Sequence, residues 1–307
     1  MKNIITILLF TCLLIGCEDT SPIINIPDAE FKKILVDKYD TNNDNEISEK
    51  EASKVRVLSV AGTPVKNNEI TSLEGIEHFS LITKLDCSYN RLITIDISKN
   101  ANLTELICNE NTLTELDVNN NINLRKLSCS NNIIPELNVS KNVLLETLFC
   151  YINQLTSIDV SNNTYLKHFS CSYNLITELD VSKNSMLSKF FCSDNKLTIL
   201  DISNNEELMK LFCHNNMLSV LDVTNNTKLT ALSCYGNLLT EINLFENKEL
   251  TELSCSNNKL TRLELSNNLK LNRLLCKNSP DLETIYLKEN QKIDVFLKNR
   301  ESQIIYN

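Results

Sequence analysis

The apolar residues of this chain return at fixed short intervals. In Leu103–Asn121, LTELICNENTLTELDVNNN, the apolar positions are Leu103, Leu106, Cys108, Leu113, Leu116 and Val118. Leu106 and Cys108 alternate with their neighbours, and so do Leu116 and Val118 around Asp117. A period of two is the signature of a strand with one face buried. The pattern predicts two short strands per unit, each followed by an asparagine-bearing turn.

The unit recurs. Cys87, Cys108, Cys129, Cys150, Cys171, Cys192, Cys213, Cys234, Cys255 and Cys276 are spaced 21 residues apart throughout (108 − 87 = 21, and so on). A fixed period of this size predicts a solenoid, because one coil cannot bury its own apolar edge and stacked coils can. Ten coils would extend about 48 Å at the spacing of stacked strands. The cysteines then lie inside as small apolar filler. Two asparagine columns, Asn90 to Asn258 and Asn100 to Asn268, mark the turns, where the amide satisfies backbone groups. The last copy, KNSPDLETIYL, has Ser279 in place of asparagine and one extra residue, as terminal caps do. The frame LxxLxCxxNxLxxLDVxxN resembles the short, doubled-consensus bacterial leucine-rich repeat over roughly 82–291. That resemblance implies a mainly β repeat solenoid of about ten coils with short parallel strands, and a small α-helical cap ahead of it.

The cap has its own pattern. Phe31, Ile34, Leu35 and Tyr39 share one helical face. YDTNNDNEISEKEA (Tyr39–Ala52) then resembles the EF-hand calcium loop, also used in dockerins. The resemblance implies one weakly held Ca²⁺ with Asp40, Asn42, Asp44, the Glu46 carbonyl, Ser48 through water and bidentate Glu51 as ligands, since calcium takes six to eight oxygens from one tight loop. Asn45 stands where glycine is expected, and no second hand exists to pair through Ile47. Ser48 and Glu51 also read as a capping box. The alternative is a degenerate cap like those of internalin-type proteins. ITSLEGIEHFSLITKLDCSYN (Ile70–Asn90) resembles the first internalin-type repeat.

Charge and composition narrow the function. The net charge of −9 over 307 residues argues against a nucleic-acid partner. The apolar run Ile4–Ile15 is too short to span a bilayer. It ends in Leu14-Ile15-Gly16-Cys17, which resembles a bacterial lipobox and implies cleavage before an acylated Cys17. Glu18-Asp19 resembles the export signal of Bacteroidetes surface lipoproteins. The expected organisation is 1–16 signal peptide, 17–25 tether, 26–56 EF-hand-like module, 57–81 repeat cap, 82–291 solenoid and 292–307 C-terminal cap. The expected location is the cell envelope, lipid-anchored, at the outer membrane and surface-exposed.

The residues flanking each cysteine face outward. Phe149, Tyr151, Phe191, Phe212, His214 and Tyr235 collect in the middle coils, with serines on either side. A contiguous aromatic patch rimmed by polar groups points to a binding site; the plainer alternative is that the rings stabilise the sheet. A mostly aspartate column, Asp96 to Glu264 with Asn138 and Asn243 in it, forms a second, solvated face. His78, His168 and His214 have no repeated nucleophile or carboxylate partner in sequence, so an enzyme is not expected. The reading is an envelope-anchored protein that binds a protein partner, from a host or the envelope. Glycan binding and a purely structural spacer are the alternatives.

Overall fold

The computed structural model describes residues 21–307 apart from 64 and 66–68. Cys17, the lipobox and the apolar run before it lie outside the described residues.

Two helices open the fold. α1 (Ala29–Tyr39) begins at Asp28, whose Oδ1 accepts from the Phe31 N–H at 2.9 Å, satisfying a donor that a helix start leaves unpaired. The helix buries Phe31 and Leu35, with Ile34 and Tyr39 packed beside them. Asp28 Oδ2 accepts from Thr71 N–H at 2.8 Å and its hydroxyl at 3.0 Å, which pins the helix to the first coil. α2 (Glu49–Ala52) starts with the reciprocal Ser48–Glu51 capping box. The described part of the expected 17–25 tether, residues 21–25, docks on this cap. Ile24 and Ile26 are buried, Ile24 N–H donates to Ile47 O at 2.8 Å, and Ile23 bridges Ser48 antiparallel. Apolar side chains this close to a core edge gain more by docking than by staying in water. The segment thereby gives Ile47 a main-chain partner.

The coils follow. β1 (Val57–Ser59), β2 (Lys84–Asp86), β3 (Glu105–Ile107), β4 (Lys126–Ser128), β5 (Thr147–Phe149), β6 (His168–Ser170), β7 (Lys189–Phe191), β8 (Lys210–Phe212), β9 (Ala231–Ser233) and β10 (Glu252–Ser254) run along the array. They continue with β11 (Arg262–Glu264), β12 (Arg273–Cys276), β13 (Thr284–Leu287), β14 (Val295–Lys298) and β15 (Gln303–Tyr306). The main sheet is parallel and has 12 strands, β1 to β10 in sequence order, then β12 and β14. It is longer than the ten-coil frame because β1 joins before the first cysteine and β14 after the last. Arg273 pairs with Val295, an offset of 22 (295 − 273), so the extra residue of the last copy is absorbed in its turn without breaking register. The expected C-terminal cap adds a strand to each sheet.

The second predicted strand is only partly realised. Leu116 and Val118 are buried around exposed Asp117, as the alternation requires. Ladder pairing on this face occurs only in the last coils, where β11, β13 and β15 form a three-stranded sheet. Those segments are rich in strand formers, TIYL and QIIY. Elsewhere an aspartate or asparagine bends the chain by taking the N–H two residues on, as Asp117 Oδ1 does from Asn119 at 2.9 Å.

The core is the stack of columns. Leu85, Leu106, Leu127, Leu148, Phe169, Phe190, Leu211 and Leu232 lie side by side and are buried. Burying one such side chain stabilises by about 1.5–3 kcal/mol, so the array is held by its repetition. All ten column cysteines are buried and free. Burial pushes their thiols up, to about 12 for Cys129 and Cys234, which leaves them inert.

Both asparagine columns are inside. Asn111 Nδ2 donates to Cys87 O, Cys108 O and Asn109 O at 3.0, 3.2 and 3.2 Å, and its Oδ1 accepts from Leu92 N–H at 3.0 Å. Asn121 Nδ2 donates to Ile97 O and Asn100 O, both at 3.0 Å. Each side chain ties its own turn to the preceding coil.

Candidate functional site

The parallel register builds the outward face. Ser128, Phe149, Ser170, Phe191, Phe212 and Ser233 stand side by side on β4 to β9. Phe191 and Phe212 lie 4.8 Å apart between ring centroids, tilted by 36°. Phe212 is 6.4 Å from His214, and His214 stacks on Tyr235 at 4.3 Å and 13°. Four of the six expected residues therefore form one continuous ring cluster. Phe149 and Tyr151 stand apart, separated from it by Ser170 and Ser172. The clustered rings are half-buried because they cover one another's faces, while Tyr151 is exposed. Behind them the core carries its own ring pair, Phe169 and Phe190, stacked at 5.5 Å.

His214 is the polar centre of the cluster. Its Nδ1 lies 3.0 Å from Ser193 Oγ and 3.2 Å from Ser233 Oγ. Its Nε2 lies 3.5 Å from Asp194 Oδ2. Which of these groups donates depends on the imidazole tautomer. Burial pushes the imidazole below its ordinary value and Asp194 opposes that shift. Burial, then the negative Asp194, pushes the Tyr235 hydroxyl up. Serine, histidine and aspartate meet here, but Ser193 is only 2% exposed, which denies a substrate access to that hydroxyl.

Sequence reasoning missed a third outward column, the residue before each turn asparagine. It includes Asn131, Ile152, Tyr173, Asp194 and Asn215, all with left-handed backbone. Asparagine suits that conformation; Ile152 at φ 53° and Tyr173 at φ 54° do not. A side chain there costs about 1–2 kcal/mol. Ile152 and Tyr173 are nevertheless apolar and exposed beside the rings. The detectable signal is a large side chain at a position that other coils fill with Asn131, Asp194, Asn215 or Gly236.

The aspartate column is occupied locally. Hydrogen bonds from the residue two positions on hold Asp96, Asp159, Asp180, Asp201 and Asp222 below the usual carboxylate range.

In the N-terminal loop, Asp40 accepts from Asn43 N–H at 2.7 Å and Asn45 N–H at 2.9 Å, and Asp44 Oδ1 accepts from Glu46 N–H at 2.9 Å. Asn43 and Asn45 are left-handed, at φ 61° and 65°. The Glu46 carboxylate pairs with Lys32 at 2.6 Å, consistent with a ligand role for its carbonyl only. Glu51 is 2% exposed. Its Oε1 accepts from Thr41 N–H and hydroxyl at 2.6 and 2.8 Å, and its Oε2 from Ser48 N–H and hydroxyl at 3.0 and 2.9 Å. Burial opposes its ionisation, but those four bonds outweigh it and hold the carboxyl down to about 2. Among the described residues no three His, Cys, Asp or Glu side chains converge as a metal set. The donor chemistry of Asp40, Asn42, Asp44, Ser48 and the Glu46 carbonyl fits calcium; Glu51 fits as a bidentate ligand only by giving up bonds to Thr41 and Ser48.

Stacked coils with one parallel strand each, a buried asparagine turn and an outward face of side chains define a leucine-rich-repeat solenoid. The functional domain of InlJ from Listeria monocytogenes, described as including a cysteine ladder, is similar at 30% identity and a TM-score of 0.74, covering 91% of this chain and 70% of that one. The chain belongs to that family of internalin-like leucine-rich-repeat proteins. InlF from Listeria monocytogenes is similar in fold, with 20% identity, a TM-score of 0.52 and coverage of 92% and 91%. So is the plant peptide hormone receptor RGFR1, solved in complex with RGF2, with 20% identity, a TM-score of 0.58 and coverage of 76% and 45%. A family profile described as the LVIVD repeat matches residues 192–209. Comparison with curated proteins gives no match.

Proposed function

We propose that this protein binds a protein partner through the first-strand face, centred on Phe191, Phe212, His214 and Tyr235, with Phe149 and Tyr151 as a second contact and no catalytic role. The observation that carries the reading is the continuous ring cluster on adjacent strands. A solenoid of similar fold, the plant peptide hormone receptor RGFR1, is solved in complex with RGF2. Protein is favoured over glycan because the rings cover each other's faces, and sugar stacking needs a free face. Capture of a partner by the full chain, and its loss on replacing Phe191 and Phe212, tests the reading.

The anchor and the loop complete the proposal. Cys17 carries lipid and holds the protein at the cell envelope, exposed on the outer membrane. Cys17→Ala is expected to release it from the membrane fraction; unchanged processing and retention would remove the anchor from the reading. The loop holds one Ca²⁺ through Asp40, Asn42, Asp44, the Glu46 carbonyl, Ser48 and a rearranged Glu51, with Kd in the range of about 10⁻⁴–10⁻³ M. Calcium at ten times Kd is then expected to stabilise the fold by about 1.4 kcal/mol. Asp40→Ala with Asp44→Ala should cancel the resulting melting shift. Calorimetry with no heat at millimolar calcium would count against the site.

A further inference from the structure

We propose that the part of this face made by β7 and β8 receives an acidic segment of the partner protein that carries an aromatic or aliphatic side chain. The proposal rests on the binding-face reading above and adds the chemistry of the occupant. β7 reads Lys-Phe-Phe and β8 reads Lys-Leu-Phe. Lys189 pairs in register with Lys210, and Phe191 with Phe212. Residues two apart in a strand share a face at roughly 6.6 Å. Two ammonium groups therefore stand beside the ring pair.

Both lysines are exposed, and neither makes an ion pair among the described residues. Others in the same column are neutralised: Lys84 and Lys126 both bridge Glu105, at 3.2 and 2.8 Å. On the next strand the column holds Ala231, which covers nothing. On the previous strand it holds His168, whose imidazole is pushed down by burial and then by Lys189 and Lys167. Unopposed like charges on neighbouring strands repel, and the protein around them has a net charge of −9. An anionic occupant relieves that repulsion and matches the local reversal of sign. Asp194 marks the opposite side of the rings, so carboxylates are directed to the lysine side and the apolar group to Phe191 and Phe212.

The test uses the purified full chain and two synthetic peptides, Asp-Glu-Phe-Leu-Phe-Glu-Asp and Lys-Arg-Phe-Leu-Phe-Arg-Lys, titrated by fluorescence anisotropy. The acidic peptide is expected to bind at least about tenfold more tightly at about 50 mM NaCl, with the preference shrinking at about 500 mM. Lys189→Glu with Lys210→Glu should invert the preference. Equal binding of the two peptides, a preference that charge reversal leaves unchanged, or no binding of the acidic peptide at millimolar concentration overturns the proposal. Tighter binding of a carboxylated glycan such as sialyllactose overturns it as well. Phe191→Ser with Phe212→Ser separates the two levels. If it abolishes capture of the partner while the peptides show no charge preference, the face stands and the acidic occupant falls. If partner capture also survives the double replacement, the face reading falls too.

Discussion

Replacing Phe191 and Phe212 together by serine is expected to abolish partner binding while the chain stays folded. The two rings touch at 4.8 Å on adjacent strands and Phe212 leads on to His214 and Tyr235, so the pair is the centre of the cluster. A central aromatic contributes about 2 kcal/mol or more to an interface, which makes each loss about thirtyfold in affinity and the pair close to complete. Serine is the residue the column itself uses at Ser170 and Ser233, so the backbone accepts it. The cross-strand ring contact is worth about 0.5–1.5 kcal/mol to the sheet, so a small fall in melting temperature accompanies the loss. Surface plasmon resonance against the captured partner, with a thermal melt of the same sample, measures both. A large drop in melting temperature with affinity unchanged would show that the rings serve the sheet alone.

Asn132→Ala is expected to destabilise the solenoid by about 1–3 kcal/mol. Asn132 Nδ2 donates to Cys108 O, Cys129 O and Ser130 O at 3.1, 3.0 and 3.3 Å, and Oδ1 accepts from Leu113 N–H at 2.9 Å. The side chain is 6% exposed, so water does not readily replace it. Alanine leaves the Leu113 N–H buried without an acceptor and unties two coils in the N-terminal half of the array. Because each coil contacts only its neighbours, a break there divides the cooperative unit. Asn120→Ala, at an exposed position in the preceding coil, serves as the control and should change little. Equal melting temperatures for the two variants would overturn the account of the asparagine columns.

These predictions mix what was legible in the residues with what was not. The alternation around each cysteine placed Phe190 inside and Phe191 outside, and the structure agrees: Phe190 is fully buried and Phe191 half-exposed. The ring cluster itself was legible only as a column of residue types. That Phe191 and Phe212 meet tilted while His214 and Tyr235 stack depends on side-chain torsions, which no periodicity encodes. Ile152 and Tyr173 escaped notice because the strain that singles them out is a backbone angle.

The sequence by itself determined the period, the inward and outward columns, the burial of the cysteines, the turn asparagines and the capping box of Ser48 and Glu51. Each of these follows from contacts between near neighbours or between copies of one pattern, and repetition enforces them. Only the tertiary structure decided that Ile24 docks on Ile47, that β1 and β14 extend the sheet to 12 strands, and that second-face pairing is confined to β11, β13 and β15. It alone decided that Glu51 is held by Thr41 and Ser48, and that Lys189 and Lys210 stand unopposed beside the rings. These features arise between segments that no repeat relates, or from competition among partners in space. The outcome there is set by which groups come within reach once the chain has coiled.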